Sequence, residues 1–184
     1  IDQPEDRVSN FKNKSLNNFK NINLQNINYP PDSDWLSWRR TTDGKGYSPL
    51  KIINTKNVKN IKLSWSLTMN EGSNQITPIV SQGIMFLTNP GNIIQALDAK
   101  NGELIWEYRY NFPKASKTLG GPTRNIAVYK DKIFLATYDA HLIALDIRTG
   151  KLVWKTKKAK YEDGYTHTSG PIIANGIVIS GING

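Results

Sequence analysis

An eleven-residue pattern occurs twice in this chain, and no other feature restricts the possible folds as much. Ala96-Leu97-Asp98-Ala99-Lys100-Asn101-Gly102-Glu103-Leu104-Ile105-Trp106 matches Ala144-Leu145-Asp146-Ile147-Arg148-Thr149-Gly150-Lys151-Leu152-Val153-Trp154. Trp106 and Trp154 stand 48 residues apart, and Trp65 lies 41 residues before Trp106. Self-similarity at that period is the mark of four-stranded propeller blades. Each residue type has a task in such a unit. The glycine after Asn101 or Thr149 supplies the positive φ of a tight turn. The aspartate accepts hydrogen bonds from that turn's backbone, so Asp98 and Asp146 read as turn residues and not as acids or bases. The tryptophan packs a large flat surface between neighbouring blades.

Short β-like runs flank these repeats at hairpin distances. Leu63 to Leu67 alternates and predicts a strand around Trp65. Ile76 to Val80 and Ile84 to Thr88 flank Ser81-Gln82-Gly83, and Ile126 to Tyr129 and Ile133 to Thr137 flank Lys130-Asp131-Lys132. Ile93 to Leu97 pairs with Leu104 to Tyr108, and His141 to Leu145 with Leu152 to Lys155. Pro171 to Ala174 and Ile177 to Ser180 flank Asn175-Gly176, the strongest short hairpin signal in the chain. The predicted fold is therefore all-β: a propeller of about three blades over residues 34–184.

Residues 1–33 have a different texture, rich in Asn and Lys with isolated apolar side chains. They read as an N-terminal arm, partly ordered against the main body. The spacing of Phe11, Leu16 and Phe19 predicts a weak helix, although asparagine is a poor helix former. Tyr29-Pro30-Pro31-Asp32 ends the arm, because residues before proline are pushed out of the helical region. Trp35 and Trp38 follow in a compact lead-in segment, and Thr55 is placed to cap a short helix through Ile61.

The formal net charge of +9 raises the question of nucleic acid. The lysines are scattered among turns, and the densest cluster, Lys155, Lys157, Lys158 and Lys160, has no motif around it. No aromatic-basic stacking platform accompanies them, so no nucleic-acid partner is expected. A basic face suits an acidic partner protein such as an electron carrier. There are no cysteines, which excludes disulfides and cysteine-based metal sites. No stretch approaches a membrane span, and the start, Ile1-Asp2-Gln3-Pro4-Glu5-Asp6, has no apolar signal core, as in a mature, processed chain or a cytosolic one.

The repeat resembles the tryptophan-docking motif of the pyrroloquinoline quinone (PQQ)-dependent dehydrogenases, whose propellers have eight blades. Asp34-Trp35-Leu36-Ser37-Trp38 and Tyr47-Ser48-Pro49-Leu50-Lys51-Ile52-Ile53-Asn54 are similar to that family's N-terminal segment. Thr77-Pro78-Ile79-Val80 and Gly83-Ile84-Met85-Phe86 continue in register, so the resemblance runs from about Asp34 to Gly184. It implies an oxidoreductase that oxidises an alcohol or sugar and passes electrons to a respiratory acceptor, a cytochrome c or a quinone, in the periplasm.

Carried over residue by residue, the resemblance implies a cofactor wall. Gln75 falls where many members place Glu or Gln beside the quinone. Arg124, in Gly121-Pro122-Thr123-Arg124-Asn125, matches an arginine that binds a PQQ carboxylate, a task suited to a guanidinium fork. Thr137 and Thr168 match hydroxyl residues that hydrogen-bond the cofactor, and Ser169 and Gly170 lie in the segment that approaches it. His141 and His167 lack ligand-spaced partners and are given no catalytic role.

Two departures matter. Alcohol and methanol dehydrogenase branches carry a vicinal cysteine pair where this chain reads Lys117-Thr118-Leu119-Gly120-Gly121, which resembles cysteine-free branches such as membrane glucose dehydrogenases. The family's calcium or lanthanide ligands and its catalytic aspartate are expected beyond residue 184, so a catalytic set and a metal site are expected in none of these residues. Three blades do not close an eight-bladed ring, and the expectation is a piece of a larger propeller that folds poorly alone. The competing reading is a non-catalytic propeller that binds proteins, as in outer-membrane assembly scaffolds. The combination of Gln75, Arg124 and Thr168, together with the lead-in segment, favours the enzyme branch.

Overall fold

Apolar residues alternating over short runs, each closed by a residue that tolerates positive φ, give antiparallel hairpins throughout. The structure is a computed structural model that describes residues 6–11, 16–113 and 122–184. Its elements are strand β1 (Arg7–Asn10), helix α1 (Leu24–Asn28), then β2 (Ile79–Ser81), β3 (Ile84–Asn89), β4 (Ile93–Asp98), β5 (Leu104–Arg109), β6 (Ala127–Tyr129), β7 (Lys132–Ala136), β8 (His141–Asp146), β9 (Leu152–Lys157), β10 (Ile172–Ala174) and β11 (Ile177–Ile179). Blade 1 is the meander β2 to β5, blade 2 is β6 to β9, and β10 with β11 forms the first hairpin of blade 3. All pairings are antiparallel. The register repeats: Ser81 faces Ile84 and Ile84 faces Asp98 in blade 1, as Tyr129 faces Lys132 and Lys132 faces Asp146 in blade 2. At the Asn175-Gly176 turn both residues have positive φ, 47° and 79°, the geometry that a two-residue hairpin requires.

The eleven-residue repeats take the same shape in both blades. Asp98 Oδ1 accepts from the Lys100 N–H at 2.9 Å, and Asp146 Oδ1 accepts from the Arg148 and Thr149 N–H groups at 3.1 and 2.8 Å. Gly102 and Gly150 follow with φ of 75° and 71°. The indole of Trp65 lies on Gly102 and donates to Ala99 O at 3.2 Å; that of Trp106 lies on Gly150 and donates to Ile147 O at 3.1 Å. Each tryptophan thus rests on the turn one blade further on. Within its own blade Trp106 leans on Phe86 and Trp154 on Phe134, with ring centroids 6.1 and 5.9 Å apart.

The arm departs from the predicted helix. β1 adds to the outer edge of β5, pairing Arg7 with Arg109 and Asn10 with Trp106, and makes blade 1 five-stranded. That edge carries backbone N–H and C=O groups that need partners, and Arg7–Asn10, just before the predicted helix, supplies them; residues 16–19, the described end of that helix, form only a turn. The helical turn falls later, at α1, where Asn23 and Asn26 cap each other's backbone N–H at 2.9 and 3.0 Å. Residues 12–15, inside the predicted helix, lie outside the described residues. Leu16, Phe19, Ile22 and Ile27 are buried in the same apolar core as Phe86, Trp106 and Val128. The Arg148 guanidinium holds the arm from blade 2, donating to Phe19 O at 2.8 Å.

Two further expectations are corrected. The helix from Thr55 to Ile61 is a single 3-10 turn, Val58–Asn60, and Asn57 stands at its start without a side-chain cap. The Asn57 amide is occupied elsewhere, accepting from Asn54 N at 2.8 Å and donating to Ile52 O at 2.8 Å. Leu63 to Leu67 forms no strand: among the described residues no strand pairs with it, and Leu63 stays 82% exposed. Alternation specifies a pleat, but a strand also needs a neighbour for its backbone. Among the described residues no helix is long and apolar enough to cross a membrane.

Candidate functional site

Three segments leading into β2, β6 and β10 lie side by side at the inner end of the blades. Counted back from those strands, Gln75, Thr123 and Thr168 hold equivalent places in blades 1, 2 and 3. Asn74 bridges Thr123 in parallel, joining the first lead-in to the second. The second and third approach so closely that a Cβ at Gly170 would overlap the Asn125 backbone. Only a residue without a side chain permits that approach.

Arg124 crosses all three segments. Its Nε donates to Gln75 Oε1 at 3.1 Å and one terminal nitrogen donates to Thr168 O at 3.1 Å. The residue is half-buried, Gln75 and Ser169 are exposed, and Thr168 and Gly170 are half-buried. Among the described residues no carboxylate pairs with Arg124. Its charge is held by two neutral oxygens, and those two bonds leave part of a five-donor fork available. The arrangement suits an anionic ligand that presents a carboxylate at this face.

The structure therefore brings together Gln75, Arg124 and Thr168, with Ser169 and Gly170 beside them. It does not bring Thr137 to them. The Thr137 side chain is fully buried, and its hydroxyl donates to Asp139 Oδ1 at 2.5 Å within the turn between β7 and β8. The same carboxylate accepts from the Tyr110 hydroxyl at 2.7 Å and faces His141 Nδ1 at 3.1 Å. The cysteine-free stretch 117–121 lies outside the described residues.

Several residues around the wall were not singled out from sequence. Asn183 Nδ2 donates to Thr168 Oγ1 at 3.3 Å, and Asn183 pairs with Thr166 through two backbone bonds of 2.9 and 3.0 Å. Tyr138 links Thr123 and Thr166, described below. The blade register could have flagged Thr123, since it matches Gln75 and Thr168; the others come from turns, where the repeat carries no signal. His167 is buried beside them, and burial, then the Lys158 charge, lowers its pKa from 6.5 to about 4, so the ring is neutral. Lys158 is the exception to a solvated lysine surface: its ammonium donates to Ser180 O at 2.8 Å, and burial lowers its pKa. A cavity of about 380 Å³ lined by Leu36, Trp38, Ile126 and Ile172 shares Asn125 with the lead-ins but none of Gln75, Arg124 or Thr168. Its lining is largely apolar and unsuited to a polycarboxylate.

Antiparallel four-strand meanders, each with a glycine turn covered by a tryptophan from outside it, define part of a β-propeller. Residues 35–183 match the family described as PQQ: glucose/ethanol/alcohol dehydrogenase, β-propeller domain, and the chain belongs to that family. It is 37% identical over 160 residues to the quinohemoprotein alcohol dehydrogenase ADH-IIG of Pseudomonas putida, covering 82% of this chain and 22% of that one. A solved structure of that enzyme superposes with a TM-score of 0.79 at 33% identity, covering 89% of this chain and 25% of the other. A europium-containing methanol dehydrogenase superposes with a TM-score of 0.76 at 30% identity, over 84% of this chain and 28% of the other. The 1-butanol dehydrogenase (cytochrome c) of Thauera butanivorans is 31% identical over 166 residues, covering 88% of this chain and 24% of its own length. The chain thus spans about a quarter of the length of these relatives.

Proposed function

We propose that this chain forms the cofactor-binding first part of a PQQ-dependent dehydrogenase propeller that oxidises an alcohol or sugar in the periplasm. The observation that carries the reading is the Arg124 guanidinium, which joins Gln75 of blade 1 to Thr168 of blade 3 and has no carboxylate partner among the described residues. PQQ, when bound, supplies the two-electron acceptor. Arg124 would hold one of its carboxylates, the Gln75 amide would orient the guanidinium and line the ring edge, and the Thr168 hydroxyl and Ser169 would complete the polar rim. Asn183 keeps the Thr168 hydroxyl in place. These groups would bind and orient the cofactor, and the proton-accepting carboxylate and the ligands of a calcium or lanthanide ion are proposed to lie outside this set.

Ring closure is supported by a contact inside the chain. Trp65 sits on the Gly102 turn of blade 1 as Trp106 sits on the Gly150 turn of blade 2. By that equivalence the Trp65 segment would take the place of an outer strand in a blade preceding blade 1 once a closed ring brings partner strands beside it. Electron transfer to a cytochrome c or a quinone fits the positive surface, and the Thauera relative is named for cytochrome c.

The test is a PQQ titration of the full-length protein with calcium present, read by tryptophan quenching, with Arg124→Ala alongside. Saturable binding that weakens in the variant is the expected result, followed by reduction of a dye with an alcohol or sugar. A folded, complete chain that does not bind PQQ would sink the reading in favour of a protein-binding propeller.

A further inference from the structure

Tyr138 stands where all three blades meet, and nothing assigned to the cofactor wall so far uses it. It lies in the turn after β7, between Thr137 and Asp139. Its ring stacks on Phe112 at a centroid distance of 5.6 Å and an interplanar angle of 20°. Its backbone N–H donates to Asn92 Oδ1 at 2.9 Å, in the β3–β4 turn of blade 1. Its carbonyl accepts from the buried Thr166 hydroxyl at 2.7 Å, on the lead-in to blade 3. Its own hydroxyl bonds Thr123 Oγ1 at 2.9 Å, and Asn92 Nδ2 reaches the same oxygen at 3.3 Å.

Those partners bracket the guanidinium. Thr123 is the residue before Arg124, so holding its side chain fixes the root of the arginine. Thr166 is two residues before Thr168, whose carbonyl is the far acceptor of the guanidinium. Thr166 also pairs with Asn183, which donates to the Thr168 hydroxyl. One tyrosine thus sets both the origin of Arg124 and the position of the oxygen it reaches. The phenol is neutral: burial raises its pKa, and the Thr123 bond and the Arg124 charge only partly offset that. A neutral, buried network whose members are mutually satisfied holds one geometry, and a binding group is effective only when its support is rigid.

We propose that Tyr138 is a positioning residue for the cofactor wall, acting on Arg124 through Thr123 and on Thr168 through Thr166. The proposal rests on the PQQ-binding reading and adds a residue outside the wall itself. The variant to make is Tyr138→Phe, which keeps the Phe112 stack and both backbone bonds and removes the hydroxyl that bonds Thr123. In the full-length protein it is expected to weaken PQQ binding roughly 3- to 10-fold, about the worth of one buried hydrogen bond, with a melting temperature lowered by no more than about 4 °C. Thr123→Val is expected to do the same, and the double variant to be no weaker than the weaker single one. In an Arg124→Ala background Tyr138→Phe should change affinity less than about twofold, because the residue through which it acts is gone.

Wild-type affinity in Tyr138→Phe, or an equal loss with and without Arg124, would overturn the proposal. A crystal structure of the PQQ-free variant separates this claim from the cofactor reading. Arg124 should leave Gln75 and Thr168 there, and an unmoved guanidinium overturns the positioning role whether or not PQQ binds. Failure of the wild type itself to bind PQQ would instead remove the functional reading on which the proposal stands.

Discussion

The indole of Trp106 lies so close to Gly150 that a Cβ at that glycine would come within 2.6 Å of the ring. Trp106 is fully buried, and through this turn blade 1 grips blade 2 with a large flat surface. The turn must offer a bare backbone, a φ of 71° and the Ile147 carbonyl at once. Gly150→Ala therefore meets a steric and a conformational penalty together, and roughly 2–4 kcal/mol of stability should be lost. Gly102→Ala should cost less, because Trp65 above it is only half-buried. Chemical denaturation of the full-length variants measures both, and the order Gly150 above Gly102 is the outcome to check.

At Gly170 the obstacle is main chain. A methyl there would overlap the carbonyl and Cβ of Asn125, and neither is the flexible end of a side chain. Gly170→Ala should separate the lead-ins of β6 and β10, costing roughly 1–3 kcal/mol, and should weaken PQQ binding along with stability because Arg124 and Thr168 part. Equal PQQ affinity at a lowered melting temperature would show that the spacing of those segments does not matter to the ligand.

Lysine is not expected to replace Arg124. A guanidinium reaches Gln75 Oε1 and Thr168 O from two different nitrogens, whereas an ammonium is a single point. Arg124→Lys should retain the charge and still lose roughly 10-fold or more in PQQ affinity, from one or two charged hydrogen bonds of about 1.5–3 kcal/mol each. Titration at two salt concentrations checks the assignment, since the lysine variant keeps the salt dependence that Arg124→Ala loses.

His167 gives the protein an acid-sensitive point. Its folded pKa is depressed from 6.5 to about 4, chiefly by burial and then by Lys158. As pH falls through 6.5 the unfolded chain takes up a proton that the folded chain refuses until about pH 4, so stability declines across that window. The loss should be about 3 kcal/mol at most. His167→Gln should flatten the dependence between pH 6.5 and 4, which melting curves at stepped pH will show; an unchanged slope would place the sensitivity on another group.

The repeat made the blades readable in advance. Turn chemistry is local: Asp98 and Asp146, the following glycines and the Asn175-Gly176 hairpin act over three or four residues, and the structure shows them as the residues imply. Gln75, Arg124 and Thr168 were legible only through resemblance, and their coming together required the register of three lead-ins that no single segment contains. The failures were of the same kind. The spacing of Phe11, Leu16 and Phe19 predicts a weak helix within the arm, and the alternation of Leu63–Leu67 a strand, because periodicity reports a side-chain pattern and not the availability of a partner. β1 is a strand because β5 has an open edge, and Leu63–Leu67 is not one because among the described residues no strand pairs with it.

By itself the sequence determined the hairpins, their period and the packing of tryptophan between neighbouring blades, since these follow from φ preferences, alternation and the size of an indole. Only the tertiary structure decided that Thr137 turns inward to Asp139, that Thr123 and Thr166 meet on Tyr138, and that Arg124 bridges three blades. Those outcomes depend on hydrogen bonds between residues far apart in the chain, whose geometry exists only once the blades have stacked.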